Sequence, residues 1–214
     1  MVLTVAVLVL TLLAGRARVA PSSHIPRPAV WMWAVVAVPS VLQAVVPSLL
    51  DFFERDPAQI RDGQWWRILT SALVQDGGLF GTVANLAVLA VVAPIAVQFW
   101  GAWRAVVLLV LGQVIFGLLT AFVFPSVGAG NSAATFTLAA SMVGVVVTAH
   151  ASRRELCLAA GVVLCGVLLV LVDDAHGLAV LTGTMLGAAL AIIVPPSHRA
   201  APTPALRESG QPTL

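Results

Sequence analysis

Ser132 and His176 are the residue types in this chain that could do chemistry together. Ser132 stands in "GAGNSAATF", Gly128 to Phe136, between two long apolar runs. In lipid, each polar group of such a stretch must find a partner or stay unsatisfied. Two readings account for it. One is a loop followed by a helix N-cap, for which Asn131 and Ser132 are favoured types. The other is a nucleophile. A serine hydroxyl attacks carbonyls only when a positioned base takes its proton, and a histidine on a facing helix can supply that base. Asn85, a lone amide in "TVANLAVLA", is a third polar group that an apolar helix would have to accommodate.

The helix that must carry His176 reads "AHGLAVLTGTMLGAAL". Ala179, Gly183 and Gly187 follow the histidine at steps of three, four and four, so all four share one face. Small residues at that spacing let two membrane helices approach closely. His176 therefore belongs to a packing face rather than to lipid, where an ionisable residue is a functional candidate by default. His24 lies in a connection, His150 at the edge of an apolar stretch and His198 in the tail, and all three are read as bystanders. In the first turn of a helix, the positive end of the macrodipole disfavours imidazolium, although Asp173 and Asp174 act the other way. Asp173 reads as an N-cap sooner than as an acid orienting the histidine.

Composition sets the elements that position these groups. Of 214 residues, 60% are hydrophobic and 9% charged, with a mean hydropathy of +1.02. Soluble domains carry roughly 25% charged residues, so the chain is expected to be an all-α polytopic membrane protein. The formal net charge is +2 and no basic stripe appears, which argues against nucleic acid. No metal-ligand spacing or cofactor motif is visible, so none is expected. Cys157 and Cys165 lie within one apolar run and read as small core residues rather than a disulfide.

Six apolar stretches approach the ~20 residues that a bilayer span needs. They are Ala29 to Leu50, Leu79 to Trp100, Ala102 to Phe124, Ser132 to His150, Leu156 to Val172 and Ala175 to Val194. A shorter one, Val2 to Gly15, is read as an extra N-terminal span. Three segments follow: an N-terminal hydrophobic segment and basic linker (1–28), a transmembrane domain (29–194) and a disordered tail (195–214). Alternate connections hold eight of the eleven arginines, and the others hold seven of the nine acids. By the positive-inside rule the arginine-rich side, with the C-terminal tail, is cytoplasmic. Trp31, Trp33, Trp65, Trp66, Trp100 and Trp103 all fall near predicted interfaces. Ser132 and His176 then open their spans in the same, non-cytoplasmic leaflet. The absence of Lys and Tyr, with Ala and Val abundant, points to a GC-rich bacterial genome and hence a bacterial plasma membrane.

At these residues the chain resembles the rhomboid family of intramembrane serine proteases. "GNSAATF" is similar to the family's G-x-S-x motif, with Gly128 and Gly130 before the serine. "AHGLAVLTG" is similar to the pattern of its last helix, and "WWRILTSAL" to the W-R motif of its long first loop, at Trp66 and Arg67. The resemblance implies a six-helix rhomboid-like bundle, here with an extra N-terminal transmembrane helix. It implies a Ser132–His176 dyad, an oxyanion site from the Ser132 N–H and the Asn85 amide, and structural roles for Gly183 and Gly187. The implied substrate is a transmembrane segment of another protein, with the lipid bilayer as surroundings. Three positions depart from the pattern. Gly81 stands where the family commonly has a histidine four residues before the asparagine, Gln98 replaces an acid, and Ala179 replaces a glycine. Gly81 leaves a second reading open, a weak or inactive rhomboid-like protein that binds membrane helices without cutting them.

Overall fold

The helix that begins at Ser132 runs to Gly144, and every residue from Ala133 onward is buried. Its sequence, "SAATFTLAASMVG", is dominated by small side chains, so neighbouring helices can close in around it. The computed structural model describes residues 1–19, 22, 24–148 and 151–194. The predicted tail and its His198, together with His150, lie outside the described residues.

Ten α-helices are described in chain order: α1 (Val2–Ala17), α2 (Arg27–Leu42), α3 (Ser48–Phe53), α4 (Pro57–Arg61), α5 (Arg67–Thr70), α6 (Gly78–Trp100), α7 (Ala102–Phe122), α8 (Ser132–Gly144), α9 (Arg153–Leu171) and α10 (His176–Ile193). Four of them, α6, α7, α9 and α10, are long and apolar enough to cross a membrane, while α1, α2 and α8 are shorter apolar helices. The protein is an all-α, polytopic, rhomboid-like bundle with α8 at its centre. Three short helices, α3 to α5, decorate the connection between α2 and α6.

Two element ends differ from those predicted. The first stretch was expected to run to Leu50, but α2 stops at Leu42 and Pro47 begins a separate turn. Gln43, the residue after α2, is drawn to the chain at Gln75: its Nε2 donates to the Gln75 carbonyl and its Oε1 accepts the Gln75 N–H, both at 2.8 Å. The fourth stretch tightens after Gly144 into a 3₁₀ turn, Val145–Val147. Three consecutive β-branched residues resist the α-helical rotamer, which favours such a change. Cys157 is exposed and Cys165 half-buried, both as free thiols, so Cys157 faces the surroundings rather than the core. Trp100 is buried, its indole N–H donating to Ser141 Oγ at 2.9 Å.

The α8–α10 pair makes the most extensive helix contact, and glycines cause it. A Cβ at Gly183 would run into the Thr137 backbone, and one at Gly187 into the Ser141 carbonyl. From the other side, Gly144 lies against the backbone of Thr184 and Ala188. Thr137 Oγ1 donates across this contact to the Ala179 carbonyl at 3.1 Å. Overpacking a core costs ~1–3 kcal/mol where side chains can yield; here the obstacle is backbone, so the cost reaches at least the top of that range. Gly187→Leu is therefore expected to lower the melting temperature sharply in detergent, while Met185→Leu, at a 72% exposed position of the same helix, leaves it unchanged. Equal melting of Gly187→Leu and wild type would contradict this packing.

Helix α1 lies against α9, α8 and α6. Gly15 meets Met142 and Ile95, and Leu10 packs near Gly161. At the end of α1, Arg18 pairs with Glu155 at 2.5 Å, a residue already held in a capping box with Ser152. The shared direction of α8 and α10 has a simple consequence: Ser132 and His176, the first residues of each, emerge at one end of the bundle.

Candidate active site

Three segments converge where α8 begins. The connection holding α3 to α5 reaches the residues before Ser132 through paired backbone bonds, Arg55 N–H to the Gly128 carbonyl at 2.9 Å and Gly128 N–H to the Arg55 carbonyl at 3.1 Å. Asp76 Oδ2 accepts the Ala129 N–H at 2.8 Å, and the Ser71 carbonyl accepts the Gly130 N–H at 2.8 Å. Gly130 has φ +142°, in the region that favours glycine. A Cβ there would lie 3.2 Å from Asn85 Nδ2 and 3.2 Å from Gln75 Oε1. Glycine thus lets the chain pass the Asn85 amide and deliver Ser132 beside it.

Arg67 organises that connection from within. Its guanidinium is buried and donates to Gln64 Oε1 (2.8 Å), the carbonyls of Asp51 (3.0 Å) and Glu54 (2.9 Å), and Gln59 Oε1 (2.6 Å). A rigid five-donor fork suits four acceptors on one loop. Trp66, by contrast, is 45% exposed and stacks on Phe52. Neither residue touches Ser132 or His176; their contacts are with the loop.

Asn131 holds the N-cap position of α8 without capping it through its side chain. Its Nδ2 donates instead to Thr135 Oγ1 (2.9 Å) and to the Asn85 carbonyl (3.3 Å), and its Oδ1 accepts from Gln75 Nε2 at 3.1 Å. Gln75 is buried. It also donates to Ser40 Oγ at 3.1 Å, and its Oε1 accepts from Asn85 Nδ2 at 2.8 Å. This network ties α2, α6 and α8 together and sets the Asn85 amide. One Asn85 N–H is engaged by Gln75, and an amide nitrogen carries two. Nothing in the sequence singled out Gln75; an isolated glutamine before an apolar helix was its only signal.

The structure brings Ser132 and His176 together, with Oγ 3.0 Å from Nε2. The imidazole also packs on Phe136, one turn below Ser132 on α8, with ring centroids 5.1 Å apart and planes at 60°. Both side chains are half-buried, open enough for a reactant and sheltered on one side. As the first residue of α8, Ser132 has a backbone N–H outside the helix's own ladder. Gly81 lies one turn before Asn85, and a Cβ there would meet nothing within 4 Å.

The acid beside the histidine is Asp174, not Asp173. Asp173 is exposed and takes φ +58°, a left-handed conformation that aspartate tolerates. Its N–H bonds the Val170 carbonyl at 3.1 Å and the next N–H, of Asp174, reaches back to Leu169 at 2.9 Å. These are the two bonds of a Schellman cap on α9. The reversal turns Asp173 outward and Asp174 inward. Asp174 Oδ1 then accepts the His176 main-chain N–H at 3.0 Å and lies 2.6 Å from His176 Nδ1. Burial acts to raise the Asp174 carboxyl, but the hydrogen bonds from His176, main chain and ring, outweigh it and hold the group below its ordinary value.

The rhomboid-domain family model matches residues 62–197, more than half of the chain and the span that holds Arg67, Asn85, Ser132 and His176. No curated protein and no solved structure gives a significant match. The matched family is one of intramembrane proteases with some inactive members, and it accords with a multi-pass bundle that opens its central helix on a serine. By this match and this architecture, the chain belongs to the rhomboid family.

Proposed function

We propose that this protein is an intramembrane serine endopeptidase that cuts transmembrane segments of other membrane proteins near the non-cytoplasmic face. The 3.0 Å approach of Ser132 Oγ to His176 Nε2 carries the reading. His176 takes the hydroxyl proton as Oγ attacks the scissile carbonyl, then returns it to the leaving amine. A water, activated by the same nitrogen, releases the acyl group. Negative charge on the tetrahedral oxygen is met by the Ser132 N–H and the uncommitted Asn85 amide N–H, donors aimed where charge develops. The arginine asymmetry supports a non-cytoplasmic position for the dyad end with the C-terminus cytoplasmic, and the Ala- and Val-rich, Lys-free composition supports a bacterial plasma membrane. Segments whose helices are weakened by small residues suit a site that needs an extended backbone at the serine.

Purified protein is expected to be labelled by a fluorophosphonate and to cleave a transmembrane reporter, with Ser132→Ala silent in both assays. Binding of the reporter without labelling or cleavage would replace this reading by that of a non-cutting helix binder.

A further inference from the structure

We propose that Asp174 is a positioning residue that turns the dyad into a Ser132–His176–Asp174 relay by fixing the orientation and tautomer of His176. The inference rests on the protease reading for its catalytic consequence, but not for its geometry. One oxygen, Oδ1, engages His176 twice, at the main-chain N–H (3.0 Å) and at Nδ1 (2.6 Å). A carboxylate accepts and does not donate, so the 2.6 Å contact requires Nδ1 to carry the proton. In the neutral ring Nε2 is then the bare nitrogen, and it is the one 3.0 Å from Ser132 Oγ. The tautomer needed for proton abstraction is thereby selected by a neighbour two residues away.

The Schellman cap makes this arrangement specific. With Asp173 in the left-handed conformation of this cap, Asp173 is exposed and Asp174 is the acid that reaches the ring. A further contact on the ring, Phe136, restricts its tilt but does not discriminate between its nitrogens. The carboxylate is partly open to water, with 29% of its side-chain surface exposed against 34% for the histidine. Its contribution is therefore expected to fall short of the ~10⁴ in kcat seen where a triad acid is fully buried.

The test compares Asp174→Asn, Asp174→Glu and Asp173→Asn in the full-length protein. Asparagine still accepts a main-chain N–H at a helix start, so the first variant keeps the turn, but its neutral amide oxygen is a weaker acceptor for Nδ1–H than a carboxylate. Asp173→Asn removes the same charge one residue away and tolerates the left-handed conformation. Two readouts are taken: kcat and KM on a transmembrane reporter, and ring nitrogen shifts of nitrogen-15-labelled histidine, with the His176 signals identified by their loss in His176→Ala. Asp174→Asn is expected to lower kcat by about tenfold or more, short of the fully buried case, with KM kept, and to shift the ring nitrogens away from a protonated Nδ1. Asp174→Glu restores part of both, and Asp173→Asn changes neither. Unchanged kcat and unchanged ring shifts in Asp174→Asn overturn the proposal, as does an equal effect of Asp173→Asn. If wild type shows no turnover at all, the protease reading fails while the nitrogen shifts still decide whether Asp174 sets the tautomer.

Discussion

On the proposed dyad, Ser132→Ala and His176→Ala are each expected to reduce kcat on a transmembrane reporter by on the order of 10⁶, with the double variant no slower than either one. The two side chains form a unit joined by one proton at 3.0 Å. Without the hydroxyl the imidazole has nothing to deprotonate; without the imidazole the hydroxyl remains a poor nucleophile. Losses within such a unit are therefore not additive, and what survives comes from the oxyanion donors and substrate binding. Ser132→Ala removes a single hydroxyl from a half-buried position, so its melting temperature should match wild type. Single and double variants compared under substrate saturation provide the check. Multiplying losses would show that the two residues act in separate steps, and the dyad would have to be abandoned.

Asn85→Ala is expected to lower kcat by about 10²–10³, or ~2.7–4 kcal/mol, with little change in KM, if Asn85 serves as the proposed oxyanion donor. The oxyanion exists only in the transition state, so its donor is not used in binding substrate. The geometry suits the proposed role: Gln75 Oε1 accepts one Asn85 N–H at 2.8 Å and leaves the second N–H of that amide to be aimed elsewhere. Truncation also leaves Gln75 Oε1 buried without that donor, at a cost to stability of ~1–3 kcal/mol, so kcat must be measured where both proteins remain folded. Gly81→His acts in the opposite direction. The open space around Gly81 admits a side chain, and its place one turn from Asn85 puts a second donor on the same face. Turnover should rise, and the gain should shrink in the Asn85→Ala background if both donors serve one oxygen. A kcat untouched by Asn85→Ala in an active enzyme would make Asn85 purely structural.

Much of this molecule is legible along the chain. Hydrophobicity is a local property, so the apolar runs announced α6, α7, α9 and α10 to within a few residues, and the spacing of Ala179, Gly183 and Gly187 announced which face of α10 meets α8. Ser132 and His176 stood out because a polar group within an apolar span has few innocent explanations. Arg67 was legible as a motif, but its four loop acceptors were not, since each is an ordinary carbonyl or amide until the loop folds round it. The same holds for Gln75, whose importance lies wholly in partners 10, 35 and 56 residues away in sequence. The early end of α2 has that origin too, in a pair of bonds between Gln43 and the chain at Gln75. Asp173 and Asp174 show the division most clearly. As neighbours of one type they are indistinguishable by composition, charge or capping preference, and the sequence determined only that an acid precedes the histidine. Which acid touches it appears only in the folded path of the chain, where Asp173 takes the left-handed conformation of the α9 cap and Asp174 meets the ring.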